Sequence, residues 1–199
     1  MKKLSAQRER SVFLNLPFEK KYEPIFVGLI VGLVTVGLIP RSVVELHENG
    51  DGRMARLFQL MEECAISIHD LSYLGAERRY NMPFELGIAY ALSVRNPNSI
   101  LLVFEAKRRD LLKTLTDLRG FDPKLHHLRG EEALQVIYGT FVSPDMADPE
   151  AIGLPIYRHV IKNLSEFRKG QKLIFNKRSF SLLVHSTKAW SNQIGKRAE

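Results

Sequence analysis

The segment that decides the fold is Ala65-Ile66-Ser67-Ile68-His69-Asp70, followed after a loop by Asn81-Met82-Pro83-Phe84-Glu85-Leu86-Gly87-Ile88-Ala89-Tyr90-Ala91. The first run is short, apolar and ends in an acid, which predicts a buried strand. The second run predicts a helix, because Asn and Pro mark helix starts and Leu86, Ala89 and Tyr90 recur at helical spacing. A strand, a loop and a helix in this order are typical of a parallel α/β sheet.

The same alternation extends along most of the chain. Further strands are predicted at 11–16, 38–45 and 99–104, with a short extended piece near 125–128, and further helices at 19–36, 53–64, 108–118 and 131–141. The expected fold class is therefore α/β: a doubly wound, flavodoxin-like or Rossmann-like parallel sheet of about five strands.

A small basic C-terminal appendage is expected beyond this sheet, because Pro144, Pro149 and Pro155 suggest a boundary near residue 145. The prediction is an α/β domain over 1–145, then a basic helix and two short strands over 146–199. Residues 157–199 hold 10 basic and 2 acidic side chains, whereas residues 1–156 hold 19 and 20. We expect a solvated basic face, with nucleic-acid contact as the weaker alternative.

Composition narrows the class of protein. The single cysteine, Cys64, excludes a disulfide scaffold and a cysteine-based zinc site, and it fits a reducing cytoplasm. The uncharged run 25–39 has 15 residues, fewer than the ~20 that cross a bilayer, so it is predicted to be a core helix. We expect no metal, no cofactor and no membrane partner.

Glu85 is the main catalytic candidate. It is predicted in the first turn of its helix, where the helix dipole and free backbone N–H groups hold a carboxylate ionised. A fixed, ionised carboxylate at the mouth of a loop suits a nucleophile in glycosyl transfer. The alternative is that Glu85 only caps its helix.

The other candidates follow from the sheet, because parallel sheets bind ligands at the carboxyl ends of their strands. Pro17, Phe18, Asp70 and Glu85 fall at such ends or on the loops that leave them, so we expect them to converge on one crevice. His69 precedes Asp70 and should point to the opposite face as a hydrogen-bonded core histidine.

Three arginines are candidates for holding a phosphate. Arg41 follows a predicted strand, and Arg78 and Arg79 lie in the loop before the Glu85 helix. A guanidinium at such a position can bind phosphate oxygens in pairs. The alternative is that these side chains are solvated.

Two motifs support a family resemblance. The run Val12-Phe13-Leu14-Asn15-Leu16-Pro17-Phe18 resembles the first strand and loop of nucleoside 2-deoxyribosyltransferase-like proteins, with Leu16 where they have Gly. The run Phe84-Glu85-Leu86-Gly87-Ile88-Ala89 resembles their Phe-Glu-Ile/Leu-Gly-Tyr-Ala segment, whose Glu is the nucleophile. The runs 40–41, 68–72 and 80–87 also resemble a group of bacterial TIR-like nucleotide-binding proteins. The resemblance covers roughly residues 12–138.

The resemblance implies an N-glycosidase or deoxyribosyltransferase-like enzyme that acts on a nucleoside, a nucleotide or NAD. Glu85 would attack the sugar C1′, and Asp70 would orient the base or assist its protonation. The backbone from Asn15 to Phe18 would form the floor of the site, and Asn81 and Met82 would contact the substrate.

The alternative is a non-catalytic TIR-like module that binds a nucleotide or assembles with itself, as in bacterial defence signalling. In either case we expect a homo-oligomer. An enzyme requires an accessible Glu85, whereas in a scaffold Glu85 would be sealed by packing or capping.

Overall fold

The structure is a computed structural model that describes residues 2–46, 52–72, 80–107, 121–143 and 148–198. The chain forms two compact units, one of Met1–Pro17 with Arg41–His127 and one of Phe18–Pro40 with Leu128–Glu199. These bounds differ from the boundary predicted near residue 145, because the early segment Phe18–Pro40 groups with the C-terminal residues.

Among the described residues, helices and strands alternate as far as β4, and helices follow β5. The strands are β1 (Ser11–Asn15), β2 (Ile39–Ser42), β3 (Ile66–Asp70), β4 (Ile100–Glu105) and β5 (Lys124–Leu125). The α-helices are α1 (Lys2–Arg10), α2 (Glu23–Thr35), α3 (Arg53–Glu62), α4 (Asn81–Arg95), α5 (Gly130–Phe141), α6 (Pro149–Lys162), α7 (Leu164–Arg168) and α8 (Lys177–Ala198). Short 3₁₀ turns lie at Lys20–Tyr22 and Val43–Glu45.

The five strands form one parallel sheet in the order β2-β1-β3-β4-β5, which confirms the predicted α/β class. The register aligns Asn15 with His69 and Val103, and it aligns Asp70 with Phe104. This is the flavodoxin-like strand order, in which the direction of winding reverses between β1 and β3. Ligands of such sheets bind beside that reversal, at the carboxyl ends of the strands.

Helices α3 and α4 cover one face of the sheet. Phe13 of β1 packs with Leu57 and Leu60 of α3, and Ile88 of α4 joins the same cluster. A second cluster joins α4 to β4 through Met82, Leu86 and Val103, with Leu71 beside them. Burial of these side chains supplies most of the stabilisation of this face.

The second unit is built around α2, whose residues 25–33 are all buried. Its Gly28 lies against α5 so closely that an added Cβ would come within 2.2 Å of the carbonyl oxygen of Gly130. Gly32 similarly faces Ile137 of α5. The predicted core helix is thus confirmed. Among the described residues, no helix has the length and apolar character needed to cross a bilayer.

A buried carboxylate fixes the start of α2. Glu23 is 1% exposed, and Arg168 donates to its Oε1 at 3.1 Å and also pairs with its Oε2. The backbone N–H of Ile174 donates to the same Oε1 at 2.9 Å. The segment that leads into α8 is therefore part of the core of the second unit.

The two short strands predicted within 146–199 are wrong, because residues 177–198 form the long helix α8. Asn176 is a helix start and not a hairpin turn: its Oδ1 accepts from the backbone N–H of Ser179 at 2.9 Å. Phe180, Leu183 and Thr187 are buried at helical spacing. Pro155 is also no boundary, since it lies inside α6 with its ring exposed.

Two strand predictions ran too long at the C-terminal end. The strand predicted over 38–45 ends at Ser42, where Ser42 and Glu45 form a capping box that starts a 3₁₀ turn. The extended piece predicted near 125–128 ends at Leu125, because His127 and Leu128 have positive φ angles. The helix predicted over 108–118 lies outside the described residues.

Candidate functional site

Buried polar side chains collect at the carboxyl edge of the sheet. Each of them lies at or just after the end of a strand and is at most 3% exposed: Asn15, His69, Asp70, Glu105 and His126. Burying polar groups is unfavourable unless they are hydrogen-bonded, so their partners define what this edge does.

Asn15 and His69 form a pair that joins the ends of β1 and β3. The Nδ2 atom of Asn15 lies 3.1 Å from Nδ1 of His69. Complete burial lowers the pKa of His69 to about 3, so its ring is neutral at physiological pH. Its Nε2 has no hydrogen-bond partner in the described part of the chain. The prediction of a core histidine is confirmed.

Asp70 is enclosed by a network of its own. Its Oδ2 lies 3.0 Å from Nε2 of His126, and its Oδ1 accepts from the backbone N–H of Ser72 at 2.9 Å. The Ser72 hydroxyl also donates to Oδ1 and lies 3.1 Å from the same His126 nitrogen. The backbone N–H of His126 donates to the carbonyl of Glu105 at 3.1 Å. The network therefore ties together the ends of β3, β4 and β5.

This network is not a nucleophile–histidine–acid relay. A relay needs the acid and the nucleophile on different ring nitrogens, whereas Asp70 and Ser72 both contact Nε2 of His126. Asp70 is 1% exposed, so a ligand has no direct access to its carboxylate. The contacts fit a structural part for Asp70 better than the predicted contact with a base.

Glu85 lies at the same edge but in a different setting. It is half-buried in α4, accepts a side-chain hydrogen bond from Asn81 and faces the charge of Arg53 at the start of α3. Burial raises the pKa of Glu85, while Asn81 and Arg53 both act to lower it. The result is a partly accessible carboxyl group whose pKa is raised, because burial outweighs the two opposing contacts.

The predicted place of Glu85 in the first helical turn is wrong. Helix α4 begins at Asn81, and Tyr80 is the N-cap, with the Phe84 N–H donating to the Tyr80 carbonyl at 3.2 Å. Glu85 is thus the fifth residue, past the position of a capping box. It lies beyond the first turn, where the helix dipole acts most strongly. Hence burial, rather than the dipole, dominates its pKa.

The predicted convergence on one crevice holds only in part. The ring centroids of His69 and Phe13 lie 5.8 Å apart, so these two side chains share one face of the sheet. Phe13 packs on α3, and His69 therefore faces the side covered by α3 and α4. Asp70 is the next residue of the strand and points to the other face. Asn15, His69 and Glu85 therefore belong to one side of the sheet, and Asp70 belongs to the other.

The predicted contact residues have mixed positions. Asn81 is exposed and touches Glu85, whereas Met82 and Pro17 are buried and offer no side-chain surface. Phe18 stacks on Phe175 in the second unit, with ring centroids 4.9 Å apart. Of this set, only Asn81 lies directly beside Glu85.

Arg41 is paired with two carboxylates. Its guanidinium pairs with Glu45 at 3.0 Å and with Glu63 at 3.4 Å. Glu45 follows β2 and Glu63 follows the last residue of α3, so the guanidinium is held between these two segments. Arg78 and Arg79 lie outside the described residues.

Sequence reasoning missed three residues of this edge: His126, Ser72 and Arg53. The signal for His126 is its position directly after β5, which places it at the carboxyl edge. The signal for Arg53 is its position at the start of the helix that follows β2, because such helix starts lie at the carboxyl edge of the sheet. Ser72 ends the run 68–72 that carries the TIR-like resemblance, but no local signal gives it a contact with His126.

One cavity of about 360 Å³ lies at the opposite edge of the sheet, between the carboxyl ends of α3 and α4. Its lining includes Cys64, Ser67, Arg95 and Ile100. The strands begin there, so this cavity is remote from Glu85 and does not belong to the candidate site. Burial raises the pKa of Cys64 to about 12, which leaves its thiol protonated and unreactive.

The described residues contain no cluster of three or more His, Cys, Asp or Glu side chains placed to hold a metal ion. Comparison of the chain with family models, with curated proteins and with solved structures finds no match. Function is therefore inferred from the residues of this edge.

Proposed function

We propose that the protein cleaves the N-glycosidic bond of a nucleoside, a nucleotide or NAD, with Glu85 as the residue that acts on the sugar. The observation that carries this proposal is a half-buried carboxyl group on the helix after β3, beside an amide and a guanidinium. The flavodoxin-like strand order supports a ligand there, since such sheets bind nucleotides beside the β1/β3 reversal.

The proposed chemistry is a retaining displacement. An ionised Glu85 oxygen forms a bond to C1′ while the bond from C1′ to the base nitrogen breaks, and the electron pair leaves with the base. Water then hydrolyses the glycosyl ester and restores the carboxylate. NAD requires no acid in the first step, because nicotinamide leaves as a neutral base from a cationic nucleotide.

Neighbouring side chains have supporting parts in this proposal. Arg53 favours the ionised form of Glu85 and Asn81 orients its oxygens, which together oppose part of the effect of burial. Asn15 and His69 form a buried, neutral pair on the same side of the sheet as Glu85. Asp70 holds the loop that leaves β3, through Ser72 and His126, and is not a reacting group.

The direct test measures base release by chromatography from NAD and from a panel of nucleosides and nucleotides. Release that is lost in Glu85→Gln and kept in Glu166→Gln, an exposed glutamate of α7, supports the proposal. Release that Glu85→Gln leaves unchanged would assign the chemistry to another residue.

The second candidate is the non-catalytic, self-assembling module. Exposed apolar side chains on α3 and α4 favour it, because such surfaces mark interaction sites. No base release from any substrate, with a bound nucleotide detected by calorimetry, would favour this module over the enzyme.

A further inference from the structure

Exposed apolar side chains concentrate on the outer face of α3 and α4. In the part of the chain that the structure describes, nine large apolar side chains are exposed, and six of them lie on these helices or at the N-cap of α4: Met54, Phe58, Tyr80, Phe84, Tyr90 and Val94. Phe84 is 57% exposed and Val94 65%. A concentration of exposed apolar side chains on two neighbouring helices is typical of a binding surface.

The spacing along α4 is that of a helix which packs on another helix. Tyr80, Phe84, Gly87, Ala91 and Val94 are all exposed and follow one another at intervals of four, three, four and three residues. This interval averages 3.5 residues, as in the seam of a coiled coil. The inner face of α4 is a separate row, which already packs on the sheet.

Small residues occupy the middle of this seam. Gly87 costs an exposed helix about 1 kcal/mol relative to Ala. The backbone of Gly87 has no positive φ, and an added Cβ would meet nothing within 4 Å, so neither backbone conformation nor internal packing requires glycine at this position. Together with Ala91, it leaves a shallow centre between bulky ends, into which a second helix can settle closely.

The charges on α3 suit a copy of the same surface, running antiparallel. Helix α3 begins with Arg53 and ends with Glu62, and both side chains are exposed. Antiparallel pairing brings Arg53 of each copy to Glu62 of the other. Parallel pairing would oppose like charges at both ends.

We propose that two copies of this chain form a symmetric dimer through the outer faces of α3 and α4, with each helix antiparallel to its counterpart. Such an interface is isologous, so one patch serves both copies. Residues near Gly87 of one copy meet Ala91 of the other, and Phe58 lies near the two-fold axis. The pairing does not depend on the chemistry of Glu85.

The area of the outer face of α3 and α4 sets the expected affinity of the dimer. Helix α4 has 15 residues and is therefore about 22 Å long. With α3 beside it at about 10 Å, the face covers roughly 450 Å² in projection. An interface of this size falls in the weak, transient class, so we expect a dissociation constant in the micromolar range.

Light scattering coupled to size-exclusion chromatography of the full chain, over about a hundredfold concentration range, measures the association. We expect the mass to rise from 22.8 kDa toward twice that value. Ala91→Arg should keep the protein monomeric without lowering its melting temperature. Ala189→Arg, at an exposed position of α8, should dimerise like wild type.

Charge reversal tests the antiparallel orientation. Arg53→Glu and Glu62→Arg should each weaken the dimer about tenfold, and the double variant should restore it. The proposal is overturned by a monomer at every concentration, or by a dimer that Ala91→Arg leaves intact. It is also overturned if Ala91→Arg destabilises the monomer, because the face would then be covered from within the chain.

Discussion

The Oδ2 atom of Asp70 lies 3.0 Å from Nε2 of His126, and both side chains are buried. Because this contact and those of Ser72 join three strand ends, removing the carboxyl group leaves polar partners unpaired inside the protein. We expect Asp70→Ala to lower the free energy of unfolding by about 3–5 kcal/mol in urea denaturation.

Asp122→Ala is the matched control for this prediction. The Asp122 side chain is 93% exposed, so its loss should change stability by less than about 0.5 kcal/mol. If Asp70→Ala were equally mild and abolished base release, Asp70 would act on the substrate, as the resemblance implies.

The pH profile of base release should report the ionisation of the Glu85 carboxyl group. A nucleophilic carboxylate must be ionised, so activity is expected to fall as the pH drops through the pKa of Glu85. Burial raises that pKa and Arg53 opposes the rise. Arg53→Gln should therefore move the acidic limb of kcat/KM to higher pH, in profiles measured from pH 4 to 8.

Asn81→Ala should also move the acidic limb of kcat/KM to higher pH, because the hydrogen bond from Asn81 lowers the pKa of Glu85. Arg178→Gln, an exposed change on α8, provides the reference profile. A limb that moved to lower pH in Arg53→Gln would mean that Glu85 is not the group whose ionisation limits the rate.

The sheet and the order of its elements could be predicted from the sequence, because apolar runs and helix periods are local signals. The same signals placed Glu85 on the helix after β3. The prediction of strands near Asn176 failed because Asn is equally suited to a turn and to a helix N-cap. In the structure Asn176 caps α8.

The candidate site was less predictable, because its contacts are long-range. The contact between Asp70 and His126 joins residues 56 positions apart, and no local pattern specifies it. The side to which a strand residue points is predictable from alternation, which correctly separated His69 from Asp70. The pKa of Glu85 depends on burial, which only packing determines.

The close approach of α2 and α5 gives a matched pair of glycine predictions. A Cβ on Gly28 would lie 2.2 Å from the Gly130 carbonyl oxygen, so Gly28→Ala must displace a backbone. We expect a loss of about 1–3 kcal/mol in the free energy of unfolding. Gly139, also in α5, has open space around it, and Gly139→Ala should add about 0.5–1 kcal/mol. Equal effects of the two changes would contradict the helix contact.

Acid should destabilise the protein through His69. The pKa of His69 is about 3 in the folded protein against 6.5 for the unperturbed group, so only the unfolded chain takes up its proton in that interval. The stability that neutral His69 contributes is present above pH 6.5 and is lost as the pH falls toward 3. The linkage amounts to about 3 kcal/mol at pH 4.5.

His69→Gln removes this titration while keeping a polar side chain beside Asn15. At pH 8 the variant should be less stable than wild type, because a fitted ring is replaced in the core. Unfolding in urea at a series of pH values should show the difference shrinking by about 3 kcal/mol between pH 8 and pH 4.5. His185→Gln, at an exposed position of α8, should follow the wild-type curve throughout. A constant gap between His69→Gln and wild type would mean that His69 takes up a proton in the folded protein as readily as in the unfolded chain, and hence that the Asn15–His69 pair is open to water.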